Sequence, residues 1–210
     1  NLQPCLSWEY NSLFKLVGTP LDADSLKTST DNALVEIEKM NMDLIRVHLT
    51  PTDFTDDKGN LVETIYLDML DYMVAQAAKK NIYSYITFLT PGMSYDIDVE
   101  DPKANIPSYV ENSFLDGIDR KEIIVNKDVV FKSKNFIKQL LNRVNPYLNK
   151  QYKDTKQIAL WEIVNEPVYF SYDKLKETKY YSDFKDWIDE RQLEDIKENY
   201  SKYRYDLVYS

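Results

Sequence analysis

The feature that most constrains this chain is a rhythm. Four short apolar runs, at residues 5–10, 43–49, 82–89 and 157–164, alternate with stretches of amphipathic helical spacing. A run followed by a helix, repeated in order, is the pattern of parallel βαβ units. Their crossovers are right-handed, and helices cover the strands. One helical stretch is predicted over 30–40, capped by Thr30 or Asp31, with Leu34, Ile37 and Met40 near helical spacing. A second is predicted over 65–80, with Leu70, Met73, Val74 and Ala77 on one face. A third covers 128–149, with Phe136, Ile137, Leu140, Leu141 and Val144 as its apolar face. From residue 168 the chain begins as a loop and becomes helical by about Ser182, with Phe184, Trp187, Ile188 and Leu193 as buried candidates. Two α/β architectures fit: an open doubly wound sheet, or part of a (β/α)8 barrel. No Gly-rich loop follows any run, and the chain has four glycines, which weakens a dinucleotide-binding reading.

Composition narrows the chemistry. A single cysteine, Cys5, excludes an intrachain disulfide and a Cys-rich zinc site. A single histidine, His48, leaves Ser-His-Asp and multi-histidine metal sites little support. Acid–base chemistry would rest on carboxylates, tyrosines or lysines. A net charge of −9 with no clustered basic run speaks against nucleic acid as a partner. No apolar run approaches the roughly 20 residues needed to span a bilayer. No organic cofactor is expected.

In a βα barrel the chemistry sits at the C-terminal ends of the strands. The second run reads Leu44-Ile45-Arg46-Val47-His48-Leu49. Side chains alternate across a strand, so Arg46 and His48 share one face, and Ile45, Val47 and Leu49 share the other. An interior Arg must be paired, for instance with Glu162, or open to a cleft. The fourth run ends Trp161-Glu162-Ile163-Val164-Asn165-Glu166-Pro167. Glu162 and Glu166 share parity, and Pro167 fixes the chain as it leaves the strand. A glycosidase needs such a carboxyl, poised to give a proton to a leaving oxygen and to take one from water.

The segment Trp161 to Pro167, with Arg46 near the end of the second run, resembles the clan A glycoside hydrolases, the (β/α)8 TIM barrel group that includes family 5 cellulases and mannanases. The resemblance implies that Glu166 is the general acid/base, that Asn165 binds the sugar 2-hydroxyl and the nucleophile, and that Arg46 supports the nucleophile. It implies a retaining hydrolase of a β-linked oligo- or polysaccharide, secreted or periplasmic. The other strand mouths suggest His48, Trp8, Glu9 and Tyr169 as substrate contacts, with Phe54, Asp53 and Asp56 on the second loop. Tyr95, Asp96, Asp98, Glu100 and Asp101 lie in an irregular segment over 91–127.

Two features depart from the pattern. The third run ends Phe88-Leu89-Thr90, where family 5 enzymes often place a His. The nucleophile of the clan is a Glu ending the seventh strand, and 210 residues hold about four βα units, not eight. The expectation is that residues 1–210 are the N-terminal portion of a catalytic barrel. Its C-terminal half, with the nucleophile, would be the partner of this portion, which would be inactive alone. The alternative is a barrel or half barrel that binds glycan without cleaving it.

Overall fold

The computed structural model describes residues 23–90, 110 and 112–209. The first run, with Cys5, Trp8 and Glu9, and the candidates between Tyr95 and Asp101 lie outside them. The chain divides into two compact units. Of the described residues, the first holds those up to Asp116 together with Lys132–Asn165. The second holds Gly117–Phe131 and Glu166–Ser210.

The first unit is built from α1 (Ala23–Lys39), β1 (Leu44–His48), α2 (Ile65–Lys79), β2 (Tyr83–Leu89), most of α3 (Lys127–Asn142), a hairpin of β3 (Val144–Asn145) and β4 (Lys150–Gln151), and β5 (Ile158–Val164). The second, third and fourth apolar runs are thus β1, β2 and β5. They form one parallel sheet in the order β1-β2-β5. Register pairs Arg46 with Tyr85, His48 with Thr87, and Thr87 with Glu162, so these side chains share one face. The opposite face is apolar: Ile45, Val47 and Ile86 are buried. On that face Phe88 stacks on Trp161 at 5.1 Å and meets Phe136 of α3 edge-on. Among the described residues β5 has a strand on one edge only, and its Leu160 and Ile163 are 51% and 43% exposed.

Both helix-to-strand turns close the same way. Asn41 and Asn81 take positive φ just after α1 and α2. The next amides, of Met42 and Ile82, reach back to the carbonyls of Ile37 and Ala77. This is the Schellman ending, and asparagine tolerates its left-handed residue.

Two helix ends differ from expectation. α1 is already helical at Ala23, so Thr30 is no cap; its hydroxyl donates to the Leu26 carbonyl inside the helix. Met40 lies past the helix end and is exposed. α3 stops at Asn142 rather than 149, because Pro146 has no N–H to continue the ladder. Instead the Asn145 side-chain oxygen accepts from the Tyr147 and Leu148 amides, turning the chain into the hairpin and leaving Val144 exposed.

A buried ion pair ties this hairpin to α2. Asp71 accepts two hydrogen bonds from Arg143 Nε, at 3.2 and 2.9 Å, and one from Nη2 at 2.7 Å. Tyr152 donates to the same carboxylate at 2.8 Å. Burial pushes the Asp71 carboxyl up, and the Arg143 guanidinium pulls against it.

In the loop after β1, Asn60 Oδ1 accepts from Asn135 and Gln139 of α3, at 3.0 and 3.1 Å. Gly59 lies between, at φ +73°, and a Cβ there would stand 2.4 Å from the Lys132 carbonyl oxygen. Only glycine fits.

The second unit contains the first residues of α3, a short α4 (Tyr172–Leu175), α5 (Tyr181–Glu190) and α6 (Lys197–Tyr209). Phe184 and Ile188 are buried as expected, and Phe184 packs against Trp187, Tyr200 and Tyr203. Among the described residues no helix is long and apolar enough to cross a membrane.

Candidate active site

The polar face of the sheet carries a connected cluster. Arg46 Nη2 donates to Glu162 Oε2 and, at 3.0 Å, to Asn165 Oδ1. Thr87 donates to the same Glu162 oxygen at 2.5 Å. The Arg46 guanidinium lies 5.0 Å from the centre of the Tyr85 ring, in cation–π range. Three strands thus contribute: Arg46 from β1, Tyr85 and Thr87 from β2, and Glu162 from β5, with Asn165 one residue past its end. The Asn165 amide donates to the Leu89 carbonyl at 2.8 Å, extending the β2–β5 pairing to that residue.

Burial raises the Glu162 carboxyl, but hydrogen bonds from Thr87 and Arg46 outweigh it and hold the group below the usual carboxylate range. Glu162 is therefore a fixed anion near neutral pH. The Arg46–Glu162 pair is about a quarter exposed, at 26% and 25% of the side chains. The buried Arg46 Nε has no hydrogen-bond partner among the described residues. Such a donor suits a further acceptor, since buried polar groups are rarely left unmet.

Glu166 follows at once, exposed and with φ +45°. Among the described residues, four of the six non-glycine residues with positive φ are asparagines; Glu166 is not, and Pro167 comes next. Left-handed backbone at such a residue costs about 1–2 kcal/mol, a strain that clusters at functional sites. The passage from the first unit to the second falls at the Asn165–Glu166 bond. His48 is buried, with Nδ1 3.4 Å from the Thr90 hydroxyl.

Other candidates have structural occupations. Phe54 is in the core, 5.9 Å from Phe136, and is no sugar platform. Asp56 accepts from the Lys58 and Asn60 amides and shapes its own turn. Tyr169, in the second unit, is half-buried with the Arg204 guanidinium 4.6 Å from its ring centre. Tyr85 and Thr87 are the site residues that sequence reasoning missed. The signal was the alternation of polar-tipped Tyr83, Tyr85 and Thr87 along the third run, on the same parity as Arg46.

No family model matches the chain. "Mannan endo-1,4-beta-mannosidase 1" of Arabidopsis thaliana is 30% identical over 127 residues, 60% of this chain and 26% of that protein. "Mannan endo-1,4-beta-mannosidase 3" of the same plant is 28% identical over 98 residues, 47% of this chain and 22% of that one. The matched stretch thus spans about a quarter of these relatives' own length. The endo-1,4-beta-mannanase of Rhizomucor miehei superposes with a TM-score of 0.49 at 18% identity, over 67% of this chain and 40% of that one. The endo-1,4-beta-D-mannanase of Thermotoga petrophila RKU-1 gives 0.49 at 17%, over 76% and 47%. The chain is similar, over part of its length, to the clan A glycoside hydrolases. Within that class its homologues are mannan endo-1,4-β-mannosidases.

Proposed function

We propose that residues 1–210 are the N-terminal portion of a (β/α)8 catalytic barrel, and that the whole protein is a retaining hydrolase of a β-linked polysaccharide, with β-1,4-mannan as the substrate class. The observation that carries the reading is the end of β5, where Glu166 directly follows an Asn165 whose amide oxygen is held by Arg46. The plant relatives supply the substrate class. The same reading puts the enzyme outside the cell, where polymeric glycan is met.

In this reading Glu166 is a carboxylic acid at the start of the reaction and gives its proton to the glycosidic oxygen. A Glu carboxylate from beyond these residues attacks the anomeric carbon, the bond to the leaving oxygen breaks, and a glycosyl ester forms. Glu166, now a carboxylate, takes a proton from water. That water attacks the anomeric carbon and releases the ester with overall retention. The two carboxyls stand roughly 5–5.5 Å apart in such enzymes. The Arg46 Nε, which has no hydrogen-bond partner among the described residues, is a fitting donor to the attacking carboxylate. Glu162 is engaged and ionised, which leaves Glu166 as the carboxyl on this strand that cycles a proton. Trp8, Glu9, His48 and Tyr169 are the proposed substrate contacts.

The test is Glu166→Ala in the full-length protein. An aryl β-mannoside with a good leaving group should still form the glycosyl ester, and azide should restore turnover and yield the β-configured glycosyl azide. Poor leaving groups should lose far more. Wild-type turnover without a response to azide would remove Glu166 from the role.

A further inference from the structure

The cluster on the polar face has a direction in it. An Asn amide has an accepting oxygen and a donating NH2 on opposite sides, and a guanidinium only donates. Arg46 Nη2, 3.0 Å from Asn165, therefore requires that the Asn165 oxygen face it and turns the Asn165 NH2 away. The same Nη2 has two hydrogens. One goes to Asn165 and the other to Glu162, so a single nitrogen bridges the two side chains. Glu162 is fixed in turn by the Thr87 hydroxyl, and the Tyr85 ring lies close to the guanidinium.

We infer that Glu162 is a positioning residue: through Arg46 it sets which side of the Asn165 amide donates, and so presents a fixed N–H to a substrate hydroxyl beside the reacting carbon. The inference rests on the proposed hydrolase reading, in which Asn165 meets the sugar 2-hydroxyl, and extends it to residues that touch neither substrate nor nucleophile. Hydrogen bonds from Thr87 and Arg46 hold the Glu162 carboxyl below the usual carboxylate range, which favours the anion that anchors the bridge. Held only by its own rotamer, Asn165 would present oxygen or NH2 with little preference. A fixed donor costs nothing to reorganise as charge develops.

The test uses Glu162→Ala and Glu162→Gln in the full-length protein, with two matched aryl β-glycosides, one bearing the 2-hydroxyl and one 2-deoxy. Positioning predicts that Glu162→Ala lowers kcat on the 2-hydroxy substrate by roughly tenfold to a hundredfold, the range seen when supporting partners of a site are removed. The 2-deoxy substrate should lose less than about threefold. Glu162→Gln keeps one acceptor for Arg46 and should recover part of the loss. Equal losses on both substrates overturn the inference in favour of a purely structural role.

A second measurement needs no turnover. The Asn165 side-chain NH2 resonances, assigned by their absence in Asn165→Asp, should shift in Glu162→Ala, and the Arg46 Nη protons should lose restricted rotation. Unchanged Asn165 signals overturn the positioning chain whatever the activity. If the signals shift but the wild-type protein cleaves no β-glycoside, the bridge stands. The hydrolase reading then fails, and with it the catalytic purpose assigned to the fixed amide.

Discussion

Replacing Arg143 by Met should cost about 4 kcal/mol at neutral pH, and two routes lead to that figure. Removing one partner of a buried ion pair typically costs about 3–5 kcal/mol. Here the carboxylate left behind, Asp71, is 0% exposed and would keep only the Tyr152 hydroxyl as a side-chain donor among its present partners. The alternative is for Asp71 to take up a proton, and at neutral pH that costs a carboxyl with an ordinary pKa near 3.9 about 4 kcal/mol. Protonation thus caps the loss near the value that mutational experience suggests. The contact of Arg143 with Glu63 adds little, because that carboxylate is 65% exposed. The assay is urea denaturation followed by tryptophan fluorescence, with Trp161 in the same unit as a reporter. With a slope of about 2 kcal/mol/M the midpoint should fall by about 2 M. Asp71, whose folded-state pKa is already raised by burial, rises further once Arg143 is gone. The folded variant then binds more protons than the unfolded chain. Its deficit should shrink by up to about 1.4 kcal/mol per pH unit as pH falls, until the raised wild-type value of Asp71 is reached and wild type takes up the proton as well. A double replacement, Asp71→Leu with Arg143→Met, should regain most of the stability. A midpoint shift under about 0.5 M, or a deficit indifferent to pH, would refute this account.

Other consequences are testable in the same way. Phe136→Ala removes a fully buried ring between Phe54 and Phe88 and should cost about 3–5 kcal/mol in the same denaturation experiment. Glu162 is held below its ordinary pKa, so its ionised form contributes stability that is fully present above about pH 4.3 and is lost as pH falls through the lower folded value. Stability curves of wild type and Glu162→Gln should therefore converge in acid; divergence there contradicts the assigned sign. At Asn81, with φ +58°, Gly should be neutral or stabilising, while Val should cost about 1–2 kcal/mol, measured by thermal unfolding.

The strands were legible because parity and chain order speak in the sequence. Ile45, Val47 and Ile86 against Arg46, Tyr85 and Thr87 follow a period of two, and three of the four apolar runs fall on strands within one residue at each end. Glu162 was visible as a partner for Arg46 because both lie on one parity near strand ends. Helix termini were less legible. Periodicity carries α3 past Asn142, since Val144 continues the spacing, while the lone Pro146 and the turn-forming Asn145 decide the outcome. The repeated Lys-x-Asn-apolar sequence at 39–42 and 79–82 marks both Schellman endings, but its meaning depends on a backbone angle that composition does not reveal. The left-handed Glu166 is of the same kind: its identity gives no hint of it, and Pro167 alone advertises an unusual exit.

The bridge from Arg46 to Glu162 and Asn165 also bears on how the sheet finds its alignment. It ties β1 to β5 across β2, and Arg46 and Glu162 lie on one face of the sheet. If β5 slipped by one residue against β2, Glu162 would turn to the apolar face, against Phe88 and Phe136, and Arg46 would be stranded without its anion. Apolar side chains forgive such a slip when one replaces another, because burial has no direction. A charge pair does not. The cluster thus penalises misaligned sheets, and a chain in the native register holds Asn165 against Arg46 of β1.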